Sequence, residues 1–381
     1  MSVKKPNILL LFDWFYPDYS AGGPVRSCIN LIEQTKKDIN WYVLTSNTNY
    51  QTKRINPELP IKSWEKLPFG GQIMYVSATE SNAFLKQVFK SKKWKSIYVN
   101  SMYSAFFGFQ AVSTAKQLRL NTIVCPRGML ASGSVKQKWW LKVPFLKMSK
   151  ALGWYSNVQW HATNNEEAKQ IKRWYKPPNN IEIIPNVVGK PISNKRTTTK
   201  QPNQLRLLCV ARVSPEKNIQ YILDRLVNLQ LNNVTLTIVG SEYNIAYANK
   251  LKQLAAKHGL NVMWQGYLAP EALEASLLHY DLFILPTLGE NFGHAITEAL
   301  RAGLPVLISD KTPWKALSKN NAGFDINLNE PHLFEEAIKK VYQMSEADWL
   351  TMHEGARTYF KQTIMDASVP KKYIQLFTNK Q

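Results

Sequence analysis

Leu282-Phe-Ile-Leu-Pro286-Thr-Leu-Gly-Glu-Asn-Phe-Gly-His-Ala-Ile-Thr-Glu-Ala-Leu300 runs from four apolar residues through a proline and a polar loop into a helical pattern that opens near Phe292. An unbroken apolar run is what a strand covered on both faces shows, and a strand feeding a helix is half of a βαβ unit. The same rhythm recurs at Leu205–Val210, Thr235–Val239, Val262–Trp264 and Val306–Ile308. It also occurs earlier, at Ile8–Phe12, Trp41–Leu44, Ile97–Val99 and Thr122–Val124, with candidate helices at Pro24–Lys37 and Ser104–Leu118. Between the two series lies Gly189–Gln204, with two prolines and three consecutive threonines, which reads as a linker. The spacing predicts an α/β chain of two doubly wound, Rossmann-like domains, residues 1–190 and 205–365, joined by a linker at 191–204. Ligands of such domains sit beyond the carboxyl ends of the strands, so the loops after strands are where chemistry is sought.

Composition narrows the class. The chain has 381 residues, 45% hydrophobic and 20% charged, which excludes a disordered or fibrous protein. Cys28, Cys125 and Cys209 are far apart and lack C-x-x-C spacing, so neither a disulfide framework nor a thiolate zinc site is expected, and a reducing cytoplasm fits. No apolar stretch is long enough to span a bilayer, and Asp13 interrupts the one run that resembles a leader. The net charge of +21 is uneven: residues 1–200 carry 30 Lys and Arg against 10 Asp and Glu, while residues 201–381 carry 18 against 17. The basic half implies an anionic partner. Lys136–Lys147 interleaves lysines with Trp139, Trp140, Leu141, Phe145 and Leu146, and Lys86–Lys95 sets five lysines around Phe89 and Trp94. Both patterns suit an anionic membrane surface and a peripheral place on its inner face. Pro144 is expected to break the first stretch as a helix. Nucleic-acid binding by the same basic half is the competing reading, though no recognised nucleic-acid module is present.

The loop after Leu285 carries the most specific chemistry. The first N–H groups of the helix near Gly293, His294 and Ala295 suit a diphosphate, which the helix dipole favours. Glu290 and Glu298 flank that start. Carboxylates there repel phosphates and are better matched to sugar and ribose hydroxyls. In the stretch Leu207–Lys217, Arg212 and Lys217 follow another strand and could grip a diphosphate, Arg as a fork and Lys as a point charge. In the first half, Gly22 and Gly23 open a helix, Arg127 follows a strand between Pro126 and Gly128, and His161 stands beyond another strand.

Taken in order, these elements resemble the retaining glycosyltransferases of family 4, the group-1 glycosyl transferases with a GT-B fold. The family's E-x7-E signature matches Glu290 and Glu298, and its Gly-Arg-x4-Lys loop matches Ala211-Arg212 to Lys217, with Ala in place of Gly. Arg301–Ser309, Phe15-Tyr-Pro17 with Ala21-Gly22-Gly23, Cys125–Met129 and Ile183–Asn186 follow the pattern too. Val187-Val188 stands where the family usually has Gly-Val-Asp.

The resemblance implies two domains facing across a cleft, with a C-terminal helix at about 366–381 crossing back onto the first. It implies transfer of a sugar from a UDP- or GDP-sugar to a saccharide or lipid-linked acceptor in cell-surface polysaccharide or glycolipid synthesis, with retention at the anomeric carbon. Arg212, Lys217 and Glu290 are then catalytic. Gly23, Asn291, Phe292, Gly293, His294 and Glu298 complete the donor site, and Gly22, Arg127 and His161 face the acceptor. There is no D-x-D motif, so the cations and the helix start replace a metal; no cofactor is expected, the nucleotide sugar being a substrate. An epimerase or phosphorylase of the same fold is the nearest enzymatic alternative.

Overall fold

The computed structural model describes residues 4–77, 79–177, 181–192, 198–242 and 244–379. The chain forms two compact units, residues 1–187 with 367–381, and residues 188–366. The middle of the expected linker, 193–197, and the last two residues of the expected C-terminal helix lie outside the described residues.

The strands of the first unit are β1 (Asn7–Phe12), β2 (Asn40–Ser46), β3 (Glu65–Lys66), β4 (Gln72–Val76), β5 (Trp94–Val99), β6 (Thr122–Val124), β7 (Gln159–Ala162) and β8 (Glu182–Ile183). They form one sheet in the order β3-β4-β2-β1-β5-β6-β7-β8, parallel except for β3 against β4. The helices are α1 (Gly23–Thr35), α2 (Asn82–Lys90), α3 (Ala111–Gln117), α4 (Ser132–Lys136), α5 (Trp139–Ala151) and α6 (Asn165–Tyr175). Strand β1 is central and almost wholly buried, as its Ile-Leu-Leu-Leu run requires.

In the second unit, β9 (Leu205–Val210), β10 (Val234–Val239), β11 (Val262–Gly266), β12 (Leu282–Leu285), β13 (Val306–Ser309) and β14 (Gly323–Ile326) form an all-parallel sheet ordered β11-β10-β9-β12-β13-β14. Its helices are α7 (Ile219–Leu229), α8 (Ile245–Lys257), α9 (Pro270–Ser276), α10 (His294–Arg301), α11 (Pro331–Gln343) and α12 (Glu346–Tyr359).

The chain then returns to the first unit as α13 (Val369–Thr378). Val369, Tyr373, Leu376 and Phe377 recur at helical spacing and are buried, with the Phe377 ring 5.3 Å from that of Trp41. Ser96 Oγ donates to the Phe377 carbonyl at 2.7 Å, joining the helix to β5.

Candidate functional site

Each sheet reverses its strand order once, and a crevice opens where the loops from two adjacent strands diverge. In the second unit that point lies between β9 and β12. The loop after β9 carries Arg212 and Lys217; the loop after β12 carries Glu290 through Gly293. The two loops are sewn together. Leu288 N and Thr287 Oγ1 donate to the Glu216 carbonyl at 2.9 and 3.2 Å, and Ser309 Oγ donates to the Thr287 carbonyl at 2.5 Å. Glu290 N donates to the Lys311 carbonyl at 3.0 Å.

On this frame Lys217 Nζ is ion-paired and hydrogen-bonded to the Glu290 carboxylate, with only 15% and 16% of the two side chains exposed. Arg212 is more open, at 40%, and lies 3.6 Å from Glu216. Ala211, which replaces the glycine expected from the resemblance, packs its methyl against the core of the unit. Gly240, at the end of β10, is required beside it: a Cβ there would stand 1.9 Å from the Ala211 carbonyl oxygen.

Helix α10 begins at His294, two residues later than the sequence suggests, because Gly293 takes a left-handed φ of +76° as its cap. No side chain caps the helix. Trp314 Nε1 donates to the Phe292 carbonyl at 2.7 Å, and the Phe292 ring lies 4.7 Å from His294 and 5.3 Å from Trp314, which fixes the approach to the helix. Glu298 is half-buried, one turn after His294 on the same face, and Asn291 is exposed. The residues expected to hold a donor thus stand on two loops bonded to each other and on the helix that follows, with Lys217 and Glu290 in contact.

The residues read from the first half divide differently. Gly22, with φ +91°, caps α1, which begins at Gly23. Arg127 and His161 belong instead to a buried polar chain. Arg127 donates to Asn100 Oδ1 at 2.7 Å and to the Tyr98 hydroxyl at 3.0 Å, and also contacts Asn186, Ser27 and Cys28. His161 is not in a loop but within β7, fully buried, with Nδ1 2.8 Å from the Tyr98 hydroxyl and Nε2 2.9 Å from the Ile184 carbonyl. A carbonyl only accepts, so the proton sits on Nε2 and Nδ1 accepts from Tyr98. Burial, and then the Arg127 charge, lower the His161 pKa to about 3. Both ring nitrogens are spent and Arg127 is buried, against the expectation that the two face the acceptor: His161 bonds the Ile184 carbonyl and Arg127 the Asn186 side chain.

The carboxyl end of β1, at the reversal between β1 and β5, brings together groups that the sequence reading passed over. Asp13 is half-buried, and desolvation raises its carboxyl pKa against hydrogen bonds from Ser104 and Ser101 and the charge of Lys53. The Lys53 ammonium lies 3.7 Å from the Trp14 ring and 4.4 Å from Tyr50. Desolvation lowers its pKa. An acid directly after a buried strand was the available signal.

The basic stretches also separate. In Lys86–Lys95, Phe89 and Trp94 are core residues, so that stretch has no apolar outer face. In α5 the expectation of a break at Pro144 is wrong: the helix runs through it, and the interruption falls at Lys138, which is left-handed. Trp139, Trp140 and Leu141 are 60%, 59% and 62% exposed beside Lys136, Lys138 and Lys142, whereas Leu146 is buried. No described helix is long and apolar enough to cross a membrane, and the described residues contain no cluster of three His, Cys, Asp or Glu able to hold a metal ion.

The fold is the two-domain GT-B architecture, and residues 192–354, most of the second unit, match the family described as glycosyl transferases group 1. Among individual proteins, the chain is 31% identical over 199 residues to the UDP-Gal:alpha-D-GlcNAc-diphosphoundecaprenol alpha-1,3-galactosyltransferase of Escherichia coli, covering 47% of this chain and 49% of that one. The chain spans about half the length of the curated relatives it matches first. The crystal structure of WaaG, a glycosyltransferase involved in lipopolysaccharide biosynthesis, superposes with a TM-score of 0.68 at 18% identity, covering 98% of this chain and 100% of that one. Anabaena Alr3699/HepE in complex with UDP and glucose gives 0.70 at 14% identity, covering 98% and 99%.

Proposed function

We propose that the chain is a retaining, metal-independent glycosyltransferase of group 1. It moves a sugar from a nucleotide-diphosphate sugar to a saccharide or lipid-linked acceptor in cell-surface polysaccharide or glycolipid synthesis. The observation that carries this reading is the convergence of Arg212, Lys217, Glu290 and the uncapped start of α10 at the strand reversal of the second unit. A UDP donor is favoured over GDP by the nucleotide named for the E. coli relative and for HepE.

In the resting site Lys217 and Glu290 neutralise each other. An incoming diphosphate takes Lys217 and Arg212, and its negative charge settles at the α10 start. Glu290, released, accepts hydrogen bonds from hydroxyls of the transferred sugar, and Glu298 accepts from the ribose. As the bond from the anomeric carbon to the phosphate oxygen breaks, the acceptor hydroxyl attacks from the same face and its proton passes to the departing phosphate. The preorganised cations stabilise the charge that develops there; one such donor is worth roughly 3 kcal/mol. No cofactor takes part. Asp13 with the Lys53–Trp14–Tyr50 group meets the acceptor, and α5 holds the first unit to an anionic membrane through Trp139, Trp140 and Leu141.

Incubation with UDP- and GDP-sugars, an undecaprenyl-diphosphate sugar and excess chelator tests the reading. Transfer of the sugar with retained anomeric configuration supports it. Epimerised or phosphorolysed sugar, or oligonucleotide binding with no response to nucleotides, contradicts it.

A further inference from the structure

A second basic site lies in the first unit, at the opposite edge of the sheet from the strands' carboxyl ends. A pocket of about 430 Å³ opens beside the first residues of β5 and β6, lined by Lys95, Lys116, Arg119, Asn121, Trp154 and Asn157 among others. That volume is in the range of small-ligand pockets, roughly 300–1,000 Å³. Three cations converge on it from β5, from α3 and from the turn after α3. Among the described residues no Asp or Glu side chain lines it. Lys116 Nζ is steadied by neutral groups, the Gly153 carbonyl at 3.4 Å and Ser156 Oγ at 3.2 Å, so its charge is not cancelled. A cation at the end of α3 complements that helix's dipole, but the dipole of a seven-residue helix does not account for Lys95, which belongs to another element.

The remaining wall is not built for a bare ion. Trp154 is held against Phe109, ring centroids 3.8 Å apart, and Val112, Leu120 and Val158 continue an apolar side. Cations and a fixed indole lining one pocket suit a phosphate carrying an organic group. We propose that this pocket binds a phosphoester, through Lys95, Lys116 and Arg119 on the phosphate and Trp154 beside the esterified group. Trp154, Asn157 and Val158, which line it, follow shortly after α5, whose Leu141, Pro144 and Met148 are exposed at helical spacing, continued by Leu152 beyond its end. The ester is therefore either a soluble metabolite or a phospholipid headgroup. The lipid source rests on the membrane reading of α5; the pocket does not.

The test uses sn-glycerol 3-phosphate in calorimetric titration and phosphatidylglycerol vesicles in cosedimentation, on the full chain and on Arg119→Asn/Lys116→Gln. Both side chains are exposed, and asparagine tolerates the left-handed backbone at 119, so the fold is kept. Loss of two charged contacts should weaken binding at least about tenfold. Weakened glycerol phosphate binding assigns a soluble ester; weakened vesicle binding alone assigns a headgroup. Affinities within twofold of wild type in both arms, or no binding of the soluble ester with unchanged vesicle binding, overturn the site. Trp139→Ser/Trp140→Ser separates the two readings: vesicle binding unchanged in that variant, with glycerol phosphate still sensitive to Arg119→Asn/Lys116→Gln, removes the membrane role of α5 and leaves the pocket.

Discussion

Lys217→Ala alone confounds two effects, because the ammonium that would meet a diphosphate is the one that holds Glu290 at rest. Truncation leaves a largely desolvated carboxylate without its cation, which costs about 1–3 kcal/mol. In a unit of residues 188–366, each kcal/mol moves the unfolding midpoint by roughly 2–4 °C. Adding Glu290→Gln removes the orphaned charge, so the double variant should recover most of the loss, a coupling of about 1–2 kcal/mol. Donor binding behaves differently. A nucleotide sugar at 100 times its Kd stabilises by about 2.7 kcal/mol, roughly 5–11 °C on the same scale. Each tenfold loss of affinity removes about 1.4 kcal/mol of that, or roughly 3–6 °C. Thermal unfolding of wild type, both single variants and the double, with and without donor, separates the terms. Lys217→Ala should unfold early and respond weakly to donor; the double should unfold close to wild type and still respond weakly. A full donor shift in the double variant refutes the diphosphate role of Lys217, and an unaltered midpoint in Lys217→Ala refutes the neutralising pair.

Other substitutions probe the frame. Gly240→Ala forces a Cβ against the Ala211 carbonyl at 1.9 Å and should cost more than about 3 kcal/mol in denaturant unfolding, by displacing the loop that carries Arg212. Glu298→Ala, at a half-buried position of a formed helix, should leave unfolding of the free protein within about 1 kcal/mol of wild type while abolishing the thermal shift given by the donor. Folded His161 titrates near pH 3 and the unfolded residue near 6.5, so between those values only the unfolded chain binds the proton. Stability should therefore fall as pH drops below 6.5, by about 1.4 kcal/mol per unit, and be indifferent to this group above it. His161→Gln should flatten that acid limb in urea titrations at pH 4–7. Trp139→Ser/Trp140→Ser should weaken cosedimentation with anionic vesicles at least about tenfold, with the midpoint of thermal unfolding unchanged.

Strands buried on both faces were legible residue by residue. Leu282–Leu285 stands in the fold with the bounds its apolar run suggests, because uniform burial leaves a uniform pattern, and Leu205–Val210 keeps its bounds although the half-buried Arg206 interrupts it. Strand β7 was read as ending before His161, since that polar residue is made tolerable inside it only by Tyr98 and Ile184, which are remote in sequence. The break between α4 and α5 was misplaced because a left-handed lysine leaves no compositional mark, whereas Pro144 does. Periodicity could not tell the core aromatics Phe89 and Trp94 from the exposed Trp139 and Trp140; only packing distinguishes them. In the second unit the candidate residues were legible as two loops, but their mutual pairing was not. Lys217 and Glu290 are 73 residues apart and meet because β9 and β12 are neighbours in the sheet. Asp13 registered only as an interruption of an apolar run, its hydroxyl partners and Lys53 being brought by other strands' loops.

The central claim is that peptide groups at the α10 start, with Arg212 and Lys217, take the charge of the departing diphosphate. Amide NMR of the protein titrated with UDP in excess chelator addresses it directly. The account predicts that the Gly293, His294 and Ala295 amides show the largest shifts, and that Lys217→Ala/Glu290→Gln weakens the titration at least about tenfold. Shifts centred away from the β9 and β12 loops, or a response that appears only when a divalent ion is added, would contradict it.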